Sequence, residues 1–128
     1  MKVKEVKNAY TAYLLDVESR TWLSQQFPPK YPKFIGHHVT VQFGVPASTI
    51  SPAPAVLRVV GYADSEDGLE ALVVSVDGST KRDDGSVYHI TWSLDPAKYS
   101  PKHSNELLKR GFIEIDPIVI RSTPATLQ

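Results

Sequence analysis

The pattern His-x-Thr-x occurs twice in this chain, as His38-Val39-Thr40-Val41 and as His89-Ile90-Thr91-Trp92. Each copy lies in an apolar, β-branched run of the kind that forms a strand. A strand sends successive side chains to opposite faces, so in each copy the imidazole and the hydroxyl point the same way. Two such strands set side by side would gather two imidazoles and two hydroxyls over one patch. Histidine, with an ordinary pKa of about 6.5, can give or take a proton near neutral pH. One imidazole can take the proton of an attacking oxygen while the other, protonated, gives one to the leaving oxygen. The hydroxyls can hold the non-bridging oxygens of a phosphate, through bonds that strengthen as charge builds there. His38, Thr40, His89 and Thr91 are therefore the candidate catalytic set, suited to breaking a phosphodiester without a metal. Water or a ribose 2′-hydroxyl would supply the attacking oxygen. The spacing does not distinguish the base from the acid. A single His-x-Thr carries little weight, because threonine favours strands for its own reasons. The weight rests on two copies in phase, 51 residues apart (38 to 89).

Other residues could serve the same site. Tyr10 and Tyr13 could stack on a nucleobase. Three apart on a strand, they face opposite sides, and Tyr13 is the one expected to line the site. Lys98 and Lys102 flank the segment after the second motif and could neutralise a phosphate, and Glu106 or Glu114 could orient an imidazole by accepting its N–H. His37, Tyr88 and Trp92 fall on the opposite face from the motif residues and read as structural, and His103 reads as exposed. No His-x-His or His-x-x-x-His spacing and no cysteine is present, so neither a metal site nor a cofactor is expected. A glycine-rich phosphate loop and a Gly-x-Ser-x-Gly element are also missing from the sequence.

The elements that must position these residues follow from pattern and punctuation. Ala9 to Val17 reads as a strand. Ser19 reads as the N-cap of a short helix that ends at Phe27, before Pro28, Pro29 and Pro32. His37 to Phe43 is a strand with His38, Thr40 and Gln42 on one face and His37, Val39, Val41 and Phe43 on the other. Val45 to Pro54 is a loop. Val56 to Ala63 and Leu69 to Val76 form a hairpin around the turn-rich stretch 64–68. Asp77 to Ser86 reads as an exposed, mobile loop, and Val87 to Leu94 as the second motif strand. Lys102 to Lys109 is a helix with Gly111 as its C-terminal cap. Ile113 to Ile120 is a strand interrupted at Asp116-Pro117, and the tail from Ser122 is expected to fray. Strands lead and helices are few, so the expected class is α+β with a largely antiparallel sheet.

At 128 residues the chain fits one domain. Lysine plus arginine equals aspartate plus glutamate at 14 each, which argues against a long nucleic acid as partner but leaves room for a small nucleotide. The first seven residues are charged and carry no signal-peptide core, and no run approaches the roughly 20 apolar residues of a membrane span. A soluble, cytoplasmic protein with no membrane partner is expected.

The paired motifs, with their contexts Gly36-His37-His38-Val39-Thr40-Val41-Gln42-Phe43-Gly44 and Tyr88-His89-Ile90-Thr91-Trp92-Ser93-Leu94, resemble those of the two-histidine (2H) phosphoesterase superfamily. The Ser104-Asn105-Glu106-Leu107-Leu108 stretch is similar to one in the cyclic-phosphodiesterase domain of tRNA ligases. It is also similar to one in small phage phosphodiesterases that destroy cyclic-oligonucleotide alarm signals, the anti-CBASS enzymes. The resemblance covers roughly Ala9 to Ile120, and its inter-motif spacing is short for the family. It implies a bilobal α+β domain with an active-site groove between the lobes. It also implies metal-independent hydrolysis of a cyclic nucleotide or cyclic oligonucleotide by two-histidine catalysis, in the host cytoplasm if the chain is phage-encoded. A second implied reading is a 2′,3′-cyclic phosphodiesterase acting on RNA ends. A binding module that sequesters a nucleotide without cleaving it is a third reading, of a different class.

Overall fold

The computed structural model describes residues 6–128; the charged N-terminal stretch 1–5 lies outside the described residues. The chain is α+β, as its pattern implies, but its strands form two sheets rather than one. The elements in order are β1 (Ala9–Leu15), α1 (Val17–Gln26), β2 (Lys33–Phe34), β3 (His38–Val45), β4 (Leu57–Asp64), β5 (Leu69–Val76), β6 (His89–Leu94), a 3₁₀ turn (Pro101–His103), α2 (Ser104–Lys109), β7 (Ile113–Ile120) and β8 (Ser122–Leu127). One sheet has the order β3-β1-β8, the other β2-β6-β5-β4-β7, and every pairing is antiparallel.

The two motif strands therefore do not pair with each other. They are tied through the backbone of Ile35–His37. Ile35 N–H donates to the Trp92 carbonyl (2.9 Å) and Gly36 N–H to the Thr91 carbonyl (3.0 Å), while the His37 carbonyl accepts from Leu15 N–H (3.0 Å). This segment thus bonds to β6 on one side and β1 on the other, which brings His38 to the same neighbourhood as Thr91. Gly36 makes the tie possible. Its φ is +47°, and a Cβ there would sit 2.6 Å from the Phe34 ring and 2.9 Å from Trp92. Arg20 clamps the segment from α1: Nε donates to the Gly36 carbonyl and Nη2 to that of Ile35, with the guanidinium 3.9 Å from the Phe34 ring centre.

The hairpin β4–β5 forms as its turn residues imply. β5 is buried along nearly its whole length because both faces are covered. Leu72 and Val74 join Tyr13, Leu23, Val39, Ile90 and Trp92 in the larger core, between the two sheets and α1. Leu69, Ala71 and Val73 meet Leu107 and Leu108 of α2 in a smaller one. Buried Glu70 is satisfied by Lys30 N–H (2.8 Å) and by the hydroxyls of Tyr62 and Ser93.

Four expectations about elements are corrected. The N-cap of α1 is Asp16, whose carboxylate accepts from Ser19 N–H (2.8 Å); Ser19 instead accepts from Arg121 N–H. β7 runs unbroken through Asp116-Pro117, because it is an edge strand and its register against β4 slips between Val59 and Gly61. The tail is not frayed: β8 pairs with β1 from Tyr10↔Leu127 to Leu15↔Ser122. The stretch expected to be an exposed, mobile loop contains a closed hairpin. Tyr88 N–H donates to the Thr80 carbonyl, Arg82 N–H to that of Ser86, and the Arg82 side chain is buried.

Candidate functional site

His38 and Thr40 of β3 and His89 and Thr91 of β6 line one cavity of about 260 Å³. Its other walls are Tyr10 of β1, Phe43 of β3, Ile35, and Pro101, Lys102 and Asn105 around the start of α2. The parity of both motifs holds. Val39, Ile90 and Trp92, between or after the motif residues, are buried in the larger core.

Each imidazole is held by Nδ1. His89 Nδ1–H donates to the Val87 carbonyl (2.8 Å), which can only accept, so the Nε2 of neutral His89 carries the lone pair. His38 Nδ1 lies 2.8 Å from Nδ1 of His37, with the two rings nearly perpendicular at 85°. The Tyr10 ring stands 5.3 Å from that of His38 and 5.9 Å from that of Phe43. The Thr91 hydroxyl is 2.8 Å from that of Ser104, which is fully buried. The Thr40 side chain has no hydrogen-bond partner among the described residues, although Thr40 is 6% exposed. Its hydroxyl is free for a ligand.

Both histidines are pushed toward the neutral form. Burial, then the charges of His37 and His89, takes the His38 pKa down to about 4. For His89 burial also dominates and the Arg82 guanidinium adds to it, while the Val87 carbonyl and Asp84 oppose; the net shift is downward. Arg82 is 3% exposed and bonds the Asp84 carboxylate through Nε and Nη2, and its guanidinium lies 5.3 Å from the Phe43 ring centre. Those bonds and the Ser86 hydroxyl hold Asp84 well below the usual carboxylate range. Arg82 Nη1 and Asn105 Oδ1 are buried without partners, and both residues line a second cavity, of about 610 Å³, that shares Asn105 with the first.

Several expected placements fail. Tyr13 faces the core rather than the cavity and donates its hydroxyl to the Ala53 carbonyl (2.7 Å); Tyr10 is the tyrosine at the site. Lys98 lies away from the cavity, with Nζ on the Asp67 carbonyl, whereas Lys102 lines it. Glu106 is paired with Lys109 and Glu114 sits exposed on β7; neither orients an imidazole. His37, expected to face away, is the partner of His38. Phe43, expected on the core face, lines the cavity, because the β1–β3 register skips Val41 and so reverses the alternation beyond it. Sequence reasoning did not single out Arg82, or Asn105 for a role of its own. Ser104 and Asn105 fall in the stretch that carried the resemblance, but an arginine in a polar turn gives no signal of burial. Among the described residues no three histidine, aspartate or glutamate side chains converge as a metal would need, and no helix is long and apolar enough to cross a membrane.

No family model matches the chain, and no curated protein or solved structure matches it significantly.

Proposed function

We propose that this protein is a phosphodiesterase that hydrolyses a nucleotide phosphodiester by two-histidine acid–base catalysis, with a cyclic nucleotide or cyclic oligonucleotide as substrate. One observation carries the reading: His38, Thr40, His89 and Thr91, the four residues of the paired motifs, line a single cavity. The reaction needs each of them. One Nε2 takes the proton of the attacking oxygen as that oxygen bonds to phosphorus. The other, protonated, gives its proton to the leaving oxygen as the P–O bond breaks. Thr40 and Thr91 hydrogen-bond the non-bridging oxygens, and the Lys102 ammonium offsets their charge. Tyr10 and Phe43 provide aromatic faces for a base, and the Phe43 ring is 57% exposed and so open to one. The balanced net charge favours a small substrate over a long RNA.

The test is turnover of a panel of cyclic di- and trinucleotides, 2′,3′-cyclic mononucleotides and short RNAs ending in a 2′,3′-cyclic phosphate, with and without EDTA. Turnover is expected to survive EDTA and to fall at least about 100-fold in His38→Ala and in His89→Ala, each still folded. Activity confined to RNA ends would move the substrate to that class. Tight binding without turnover would replace the enzyme with a sequestering module.

A further inference from the structure

We infer that His37 is a positioning residue that accepts the Nδ1 proton of His38 and thereby makes His38 Nε2 the general base; the inference rests on the phosphodiesterase reading above. Adjacent residues on a regular strand project to opposite faces, so His37 and His38 meet only because β3 begins at His38 and Gly36 turns the chain just before it. The His37 backbone is held by its carbonyl bond to Leu15, and its imidazole is exposed at the edge of the site.

Two nitrogens 2.8 Å apart share one proton. If His37 donated, neutral His38 would carry its own proton on Nε2 and present a donor, not a base, to the cavity. If His38 donates, its Nε2 keeps the lone pair and His37 holds its proton on Nε2, toward water. The surroundings favour the second arrangement. The groups facing His38 are the Tyr10 ring from β1, His89 from β6 and His37 itself, with Lys102 across the cavity. None of these is an anion that would favour an N–H pointing inward, whereas water solvates the outward Nε2–H of His37. When His38 Nε2 takes the proton of the attacking oxygen, the new imidazolium keeps its Nδ1–H bonded to the neutral His37 ring. His89, whose Nδ1–H is held in the same way by the Val87 carbonyl, is left the acid's part; that carbonyl bond partly offsets the burial that favours its neutral form.

Long-range ¹H–¹⁵N spectra of histidine-labelled protein show which ring nitrogen bears each proton, and they need no turnover. At neutral pH His38 is expected as the Nδ1–H tautomer. In His37→Phe it should lose that preference, and kcat should fall about 10- to 100-fold with KM little changed. His37→Gln keeps an acceptor and should restore both the tautomer and most of the rate. Circular dichroism should show all variants folded, since only an exposed ring is changed. His38 found with its proton on Nε2, or His37→Phe turning over at the wild-type rate, would overturn the proposal. If His38 shows the His37-dependent tautomer but no panel substrate is cleaved, the phosphodiesterase reading falls and the base role with it, while the pairing stands.

Discussion

The two imidazoles differ in what holds them, and that difference sets how the site should respond to pH. In the proposed catalysis the base must be neutral and the acid protonated, so the rate should be bell-shaped. Protonation of His38 shuts off the base, which places the acid limb near pH 4. Loss of the His89 proton shuts off the acid, and because its pKa is lowered the alkaline limb should fall below the ordinary histidine value of about 6.5. The optimum of kcat/KM is therefore expected on the acid side of neutrality, and a profile flat from pH 5 to 8 would contradict the assignment. Arg82 sharpens the same point. Its guanidinium disfavours a proton on His89 while Asp84 favours one. Arg82→Met removes the first effect and releases the second, so the alkaline limb should move up while the acid limb, set by His38, stays in place. A pH–rate profile of the variant reads this directly.

At the scale of elements, what the chain reveals depends on whether one face of a strand differs from the other. Both His-x-Thr motifs were legible because period-2 alternation survives wherever the ladder is regular, as it is from His38 to Thr40 and from His89 to Thr91. Phe43 was not, since one skipped residue at Val41 exchanges the faces and leaves no mark in composition. Tyr13 was misplaced for a related reason. β1 has strands on both sides, the core on one face and the cavity on the other, and it carries apolar or aromatic residues on both. The tail Ser122-Thr123-Pro124-Ala125-Thr126-Leu127 reads as coil, yet the open edge of β1 gives it a partner, and Pro124 is tolerated on an outer strand. That pairing makes the tail a structural element rather than an appendage. Removing residues 122–128 strips one whole side of β1, a strand whose Ala9, Ala12 and Tyr13 are in the core. At about 1 kcal/mol net for each lost ladder bond, the loss is several kcal/mol in a domain whose total stability is about 5–15. The truncated chain should melt at least about 10 °C lower and tend to associate through the bared edge. An unchanged melting temperature would mean that β8 contributes nothing to the sheet.

For the molecule as a whole, the same desolvation that pushes both histidines toward the neutral form ties stability to pH. In the unfolded chain both imidazoles titrate near 6.5; in the native state His38 titrates at about 4 and His89 below its ordinary value. Between those limits the unfolded chain binds protons that the folded one refuses, so stability rises with pH there. The contribution is complete above about pH 6.5 and is lost as pH falls toward 4. The fall from 6.5 to about 4 corresponds to about 3 kcal/mol for His38, with His89 adding in the same direction. Asp84 acts with the same sign lower down. Its depressed pKa adds stability above the usual carboxylate range, which is lost only on further acidification. Two windows should therefore be separable in urea unfolding: a histidine window between pH 6.5 and 4, and a carboxylate window below it. His38→Ala should abolish most of the slope in the first and leave the second untouched, so the variant should gain on the wild type as pH drops from 7 to 5. A bound phosphate or nucleotide should oppose the loss, since its negative charge favours protonated imidazoles in the folded state. If the wild-type midpoint stays constant from pH 7 to 5 without ligand, the imidazoles are hydrated rather than enclosed, and burial does not hold them in the neutral form.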